Sequence, residues 1–161
     1  MTIQVGDPLP TVNLKQLTSE GIKDVSIPDL TRGRKVVLFA VPGAFTPTCS
    51  ERHLPGFLEQ ADAIRAKGVD DIVCIAVNDP FVLGAWGKAN QVNGKIQILS
   101  DGNAEFTKAL GLELDGSGFG LGIRSRRYAM VVEDGVVKTL FVEEIPTQAE
   151  ASSANAILAT L

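Results

Sequence analysis

Two stretches of the chain are almost entirely apolar and are predicted to be buried strands. They are Lys35–Val41 and Ile72–Val77. A strand that helices cover on both faces has a continuous apolar run, whereas a half-exposed strand alternates apolar and polar residues. Between the two runs, apolar residues recur at the three- and four-residue spacing of one helix face, at Leu54, Phe57, Leu58, Ala61 and Ile64. The pattern therefore predicts a strand, a helix and a second, parallel strand.

Proline and glycine mark the predicted ends of the helices. Pro55 lies inside the first helix and removes a backbone donor, so we expect a kink or bulge there. Gly68 is expected to end this helix. Asn78-Asp79-Pro80 predicts the start of a second helix, with Asp79 or Asn78 as the cap, Pro80 at the first helical position and the end near Val92.

The remaining elements are shorter. They are edge strands near Val12–Leu17 and Val25–Ile27, a strand at Ile96–Leu99, a helix at Ala104–Leu110, a plain glycine-rich loop at Gly116–Gly122, a hairpin of Tyr128–Val132 and Val136–Val142, and a final helix after the capping-box spacing of Thr147–Glu150. Strands that alternate with helices predict an α/β sandwich with a mixed central sheet flanked by helices. This order matches a thioredoxin-like fold with extra N-terminal strands, and we expect one domain over residues 1–161.

Composition and charge narrow the functional classes. The chain has 45% hydrophobic and 21% charged residues and a net charge of −4, which argues against a nucleic-acid partner. It has no run of about 18 apolar residues, so no membrane partner is expected. With no signal-peptide pattern and two cysteines, we expect a reducing, cytoplasmic location. Neither a metal nor a cofactor is expected, because no Cys/His cluster has metal-ligand spacing.

Cys49 is the strongest candidate for chemistry. It lies between the first buried strand and the first helix. Unpaired N–H groups and the positive dipole end at a helix start favour an anion. The thiolate is the nucleophilic form of cysteine, so Cys49 is predicted to be a reactive thiol. The alternative is a small buried core residue, which is common for a free cysteine.

Pro42, Thr46 and Cys49 form the pattern P-x-x-x-T-x-x-C, which resembles the peroxidatic loop of peroxiredoxins. The longer matching segments are residues 42–50, 53–57, 124–128 and 132–137, and together they resemble the type II (peroxiredoxin V) subfamily. The resemblance implies a thiol-dependent peroxidase, an antioxidant enzyme that reduces hydrogen peroxide and organic hydroperoxides through a sulfenic acid.

The resemblance also implies roles for individual residues. Cys49 resembles the peroxidatic cysteine, Thr46 the hydroxyl that hydrogen-bonds the sulfur and the peroxide, and Pro42 the residue that shields the site. The segment 124–127 contains three arginines. Arg127, which directly precedes an aromatic residue, resembles the family's active-site arginine. His53, the single histidine, lies four residues after Cys49, where either tuning of the thiol or structural packing fits.

The sulfenic acid on Cys49 needs a second thiol. Cys74 lies in the middle of a predicted strand, so at roughly 3.3 Å per residue the two cysteines are about 10 Å or more apart. A disulfide needs Cα atoms within about 7 Å, so we expect no direct bridge without local unfolding. Cys74 fits a core position, although plant-type members of the subfamily carry a matching cysteine and a resolving role stays open.

Animal-type members of the subfamily use a resolving cysteine near the C-terminus, and the matching region 150–153 has none. This difference favours an external reductant, either glutaredoxin with glutathione or thioredoxin.

In this family the loops around the site form a homodimer face, for which Phe45, Pro80 and Phe81 are candidates.

Two other functions stay open from the residues alone. A disulfide oxidoreductase normally needs Cys-x-x-Cys, whereas Ser50-Glu51-Arg52 follows Cys49. A redox-controlled binding or chaperone-like protein is the second. Peroxide consumption that is lost in Cys49→Ser would distinguish the peroxidase from this binding protein.

Overall fold

The computed structural model describes residues 2–47, 52–145 and 149–161, and centres on a mixed sheet. Its strands are β1 (Asn13–Thr18), β2 (Gly21–Ser26), β3 (Lys35–Val41), β4 (Asp71–Ala76), β5 (Gln97–Ser100), β8 (Tyr128–Glu133) and β9 (Val136–Val142), while β6 (Glu113–Asp115) and β7 (Ile123–Ser125) form a separate hairpin. The helices are α1 (Ile27–Thr31), α2 (Leu54–Ala66), α3 (Pro80–Ala89), α4 (Glu105–Leu110) and α5 (Ala154–Leu158).

The main sheet has the order β2-β1-β5-β4-β3-β8-β9. The pairs β3–β4 and β4–β5 are parallel, and the remaining pairs are antiparallel. One face packs against α2, α3 and α5, and the other packs against α1 and α4. This double cover explains the uninterrupted apolar runs of β3 and β4. The predicted thioredoxin-like α/β sandwich with N-terminal edge strands is confirmed.

The ends of two helices differ from the sequence prediction. Pro55 lies in the first turn of α2, where no N–H is required, and the irregularity precedes it as a π-helical turn at Arg52 and His53. Helix α3 ends at Ala89, three residues before the predicted end. The Asn90 side chain donates to the Trp86 carbonyl at 2.8 Å, so it competes with continued helical winding.

The glycine-rich segment is more ordered than the plain loop that the sequence predicts. It is the tip of the β6–β7 hairpin and contains a 3₁₀ turn at Ser117–Phe119. Gly116 donates to the Gly122 carbonyl at 2.7 Å, and the Leu121 amide donates to the Gly116 carbonyl at 3.0 Å. The hairpin therefore has a defined tip, and its second strand carries Arg124.

The C-terminal elements follow their turn and cap residues. Asp134 and Gly135 have φ of 49° and 78°, as a two-residue turn of type I′ requires between β8 and β9. Ser153 caps α5, because its hydroxyl accepts from the Ala156 amide at 3.2 Å. The predicted cap at Thr147 lies outside the described residues. Among the described residues, no helix has the length and apolar character needed to cross a membrane.

We expect Gly116→Ala to destabilise the hairpin. A Cβ at this position would lie 2.8 Å from the Leu121 Cβ and 3.0 Å from the Gly122 carbonyl oxygen. The strain should cost about 1–3 kcal/mol and accelerate amide hydrogen exchange at Leu121. Gly118→Ala is the control, because nothing lies within 4 Å of a Cβ there. Equal exchange rates in the two variants would contradict the expected strain.

Candidate active site

The loop that follows β3 forms one wall of the candidate site. Pro42 is buried at its start. The Thr46 hydroxyl donates to the Gly43 carbonyl at 2.7 Å and closes a turn, in which Phe45 has a left-handed φ of 63°. Cys49 lies in residues 48–51, outside the described residues, so its placement at a helix start stays a prediction.

Asn78 joins this loop to the neighbouring strand. Its side-chain oxygen accepts from the Ala44 amide at 2.9 Å. Its backbone oxygen accepts from the Ser100 hydroxyl at 2.5 Å, and that hydroxyl accepts from the Gly102 amide at 3.1 Å. The sequence prediction considered Asn78 only as a helix cap, but Asp79 caps α3 by accepting from the Val82 amide. The position of Asn78 after a buried parallel strand was the available signal.

Arg124 contacts the same loop from the β6–β7 hairpin. A Cβ built on Gly43 would lie 2.9 Å from the Arg124 Nη1, so the guanidinium packs directly against the loop backbone. The Arg124 Nε donates to the Leu121 carbonyl at 2.9 Å, which fixes the side chain. A second permanent cation therefore lies at the site, although motif position gave it no role.

Arg127 is buried directly before the start of β8, beside the loop. The antiparallel register pairs Ala40 with Tyr128, so the preceding residue, Arg127, lies next to the end of β3. Its Nη1 donates to the His53 Nδ1 at 3.0 Å. Of the three clustered arginines, Arg126 is exposed and Arg127 is the buried one. The structure thus brings together Arg127 and His53, two predicted site residues.

The chemistry of the partners fixes the tautomer of His53. A guanidinium only donates, so the Nδ1 must accept and the proton must reside on Nε2. The Nε2–H donates to the Ser152 carbonyl at 3.0 Å. Burial, and then the charge of Arg127, lower the pKa of His53 from 6.5 to about 3, although the bond to Ser152 opposes the shift. His53 is therefore neutral at physiological pH.

Two phenylalanines hold the imidazole ring of His53 in place. Phe39 and Phe57 stack with ring centroids 4.0 Å apart, and each meets His53 edge-on at 5.0 and 5.5 Å respectively. The residue therefore both packs in the core and contacts the buried cation. Of the two alternatives for His53, core packing is observed, whereas tuning of the Cys49 thiol stays a prediction because residue 49 is not described.

Cys74 lies in the middle of β4 and is fully buried in the core. Its register neighbours are Phe39 on one side and Ile98 on the other. The expected lack of a direct bridge to Cys49 stays a prediction, because residue 49 is not described.

Phe45 and Phe81 are exposed to solvent in the single chain, so they are not part of its hydrophobic core.

The sequence model of the redoxin family matches residues 4–158. The chain is 46% identical over 160 residues to Peroxiredoxin-2B of Arabidopsis thaliana, covering 99% of this chain and 98% of that protein. The chain belongs to the redoxin family as a type II peroxiredoxin. A crystal structure of reduced Prx3 from Vibrio vulnificus in complex with H₂O₂ superposes on this peroxiredoxin with a TM-score of 0.94. The two chains are 55% identical, and the match covers 99% of each.

Two chloroplast relatives are longer than this peroxiredoxin. It is 53% identical over 147 residues to Peroxiredoxin-2E of Arabidopsis thaliana, covering 89% of this chain and 63% of that protein. It is 55% identical over 148 residues to Peroxiredoxin-2E-2 of Oryza sativa, covering 89% of this chain and 66% of that protein. The chain therefore spans just under two thirds of the length of these two relatives.

We expect the stability of this peroxiredoxin to decrease as the pH falls, because of His53. The pKa of this histidine is 6.5 in the unfolded chain and about 3 in the folded protein, so the unfolded state binds more protons between these pH values. The contribution of His53 to stability is therefore complete above pH 6.5 and is lost progressively below it. From pH 6.5 to 5, the free energy of unfolding should decrease by roughly 1.5 kcal/mol from this group. Urea unfolding at each pH measures the change. The same pH slope in His53→Gln would contradict this assignment.

Proposed function

We propose that this peroxiredoxin reduces hydrogen peroxide and organic hydroperoxides with Cys49 as the nucleophile. The observation that carries the proposal is the buried guanidinium of Arg127, held by a neutral His53 beside the Pro42–Thr46 loop. A buried, oriented, permanent cation next to a loop with a candidate thiol is suited to a reaction that develops negative charge. The family relationship and the similarity to a peroxide-bound Vibrio structure also support it.

The proposed reaction is an in-line displacement at oxygen. The Cys49 thiolate attacks one peroxide oxygen, so an S–O bond forms as the O–O bond breaks. The second oxygen leaves as hydroxide or alkoxide and takes a proton from solvent. Sulfur is thereby oxidised by two electrons to a sulfenic acid, and the peroxide is reduced to water or an alcohol.

Arg127 is assigned to the charge on the departing oxygen. A guanidinium presents donors in a rigid plane, and the bond to His53 fixes the orientation of that plane. Because the leaving oxygen gains its charge only as the O–O bond breaks, such a donor stabilises the transition state more than the bound peroxide. The cation also favours the thiolate form of Cys49.

Thr46 is assigned to peroxide orientation. Its hydroxyl proton is directed to the Gly43 carbonyl at 2.7 Å. The lone pairs of the hydroxyl oxygen then suit the O–H of an incoming hydroperoxide. Thr46 therefore accepts a hydrogen bond from the substrate. The buried Pro42 is assigned to shielding the site from solvent.

Regeneration is assigned to an external thiol in a reducing compartment such as the cytoplasm. The sulfenic acid condenses with a thiol to give water and a mixed disulfide, and a second thiol releases Cys49. Full burial of Cys74 supports an external partner rather than an internal one. Glutathione with glutaredoxin, or thioredoxin, supplies the required chemistry.

A homodimer through the loop face is part of the proposal. The Phe45 and Phe81 side chains are 57% and 63% exposed, and Pro80 precedes the second of them. The bond between Ala44 and Asn78 joins the loop that carries Phe45 to the segment that leads into α3, whose first turn carries Phe81. Exposed aromatic side chains on linked segments favour association.

Cys49→Ser should abolish peroxide reduction, because it removes the nucleophile. Arg127→Gln should slow oxidation of the Cys49 thiol by about 10²–10³-fold, because a preorganised donor to the leaving oxygen is lost. Intact mass after one equivalent of peroxide, with and without glutathione, follows sulfenic acid, mixed disulfide and internal disulfide. Arg126→Gln is the matched control, since this neighbouring arginine is exposed. Full turnover in Cys49→Ser would disprove the proposed function.

Phe81→Asp should convert the dimer to a monomer, because it places a charge in the apolar contact. Sedimentation velocity measures the mass in solution. Ile22→Asp is the control, since Ile22 is comparably exposed but lies on the β2 edge strand. A wild-type protein that sediments as a monomer at micromolar concentration would contradict the homodimer.

A further inference from the structure

Four buried residues form a closed ring of hydrogen bonds behind the candidate site. The exposed fractions are 2% for Arg127, 2% for His53, 0% for Ser152 and 6% for Glu143. Arg127 donates to His53, and His53 donates to the Ser152 carbonyl. The Ser152 amide and hydroxyl both donate to the Glu143 Oε1, at 2.9 and 3.1 Å. The Glu143 amide donates to the Arg127 carbonyl at 2.9 Å, which closes the ring.

We propose that Glu143 and Ser152 are positioning residues for peroxide reduction, acting on Arg127 through His53. The inference rests on the proposed function of the site. Neither residue is assigned to touch the peroxide or the thiol. Their task is to hold the guanidinium in the orientation that meets the departing oxygen.

Glu143 anchors Ser152, the residue that carries this carbonyl. One carboxylate oxygen receives two donors from the same residue, so the Ser152 Cα cannot shift without loss of both bonds. The Ser153 amide, in the same peptide as the Ser152 carbonyl, donates to the Glu150 carbonyl at 3.3 Å and limits rotation of that peptide. Hydrogen bonds to a buried carboxylate are among the stronger ones in proteins.

The Ser152 carbonyl in turn determines what His53 presents to Arg127. An acceptor at Nε2 keeps the proton there, so the Nδ1 lone pair faces the guanidinium. The other tautomer would place an N–H against the N–H of Arg127. A displaced carbonyl would therefore release the imidazole and weaken the hold of His53 on the guanidinium. A misplacement of about 1 Å in a catalytic group can cost 10²-fold in rate.

The test uses His53 as a built-in reporter, because it is the only histidine in the chain. Two-bond ¹H–¹⁵N NMR reads its tautomer and pKa, and rapid-quench mass spectrometry reads the rate of Cys49 oxidation by hydrogen peroxide. In Glu143→Ala we expect a mixed tautomer of His53 and about 10–100-fold slower oxidation. Reduction of the sulfenic acid by glutathione should be unchanged.

Glu143→Gln keeps an acceptor for Ser152, so it should rescue the tautomer and hold the oxidation rate within about threefold of the wild type. Glu144→Ala is the matched control, because it removes an exposed carboxylate from the adjacent position. It should behave as the wild type in both measurements.

A folded Glu143→Ala with the wild-type tautomer and oxidation rate would overturn the inference. Should that variant fail to fold, Ser152→Ala replaces it, since it removes the hydroxyl bond and keeps the amide bond to Glu143. We then expect a three- to tenfold slower oxidation and a mixed His53 tautomer, and unchanged values overturn the proposal. If wild-type Cys49 itself reacts with peroxide no faster than a peptide thiol, it is the proposed function that fails.

Discussion

The site depends on one buried hydrogen bond, in which a permanently charged guanidinium donates to a neutral imidazole. Burial of Arg127 removes the hydration of its guanidinium, which costs free energy. Its N–H donors therefore need fixed partners in the protein interior. A carboxylate in the place of His53 would neutralise the cation and weaken its pull on a developing anion. The neutral imidazole orients the guanidinium without adding a negative charge of its own. This arrangement suits a reaction in which negative charge moves onto a leaving oxygen.

The sheet brings these groups together from distant parts of the chain. Strand β3 leads into the Pro42–Thr46 loop, and antiparallel β8 begins beside the point where β3 ends. Helix α2 then brings His53 back over Phe39, and the segment before α5 reaches His53 from the other side. Because the core on both faces of β3 is closely packed, a small shift in any of these elements changes the geometry of the site.

Secondary structure could be predicted from the sequence where a residue type or a short pattern strongly favours one local structure. Apolar runs located β3 and β4, Asp79 and Pro80 located the start of α3, and Asp134-Gly135 located the last hairpin. Long-range polar contacts were not predictable in this way. Ser152 and His53 are 99 positions apart, and no local pattern specifies that a backbone carbonyl meets an imidazole.

Arg124 shows the same limit within the site. Its position in a cluster of arginines gave no signal of contact, since the contact depends on how the β6–β7 hairpin folds over Gly43. The segment predicted as a plain loop is in fact the tip of that hairpin. A local prediction of a loop could not show that the hairpin places Arg124 beside Gly43, whereas motif position indicated Arg127.

The hydrogen-bond ring also bears on how the thiol is regenerated. The region 150–153 corresponds to the part of animal-type relatives that carries a resolving cysteine, and here Ser152 is committed to both His53 and Glu143. An internal thiol in this segment would have to leave the ring in order to reach Cys49, and Arg127 would lose its support in each cycle. An external thiol requires no such movement. The absence of a cysteine from residues 150–153 and the presence of the ring are therefore both consistent with the proposed external thiol, which would reduce the sulfenic acid while Arg127 stays fixed.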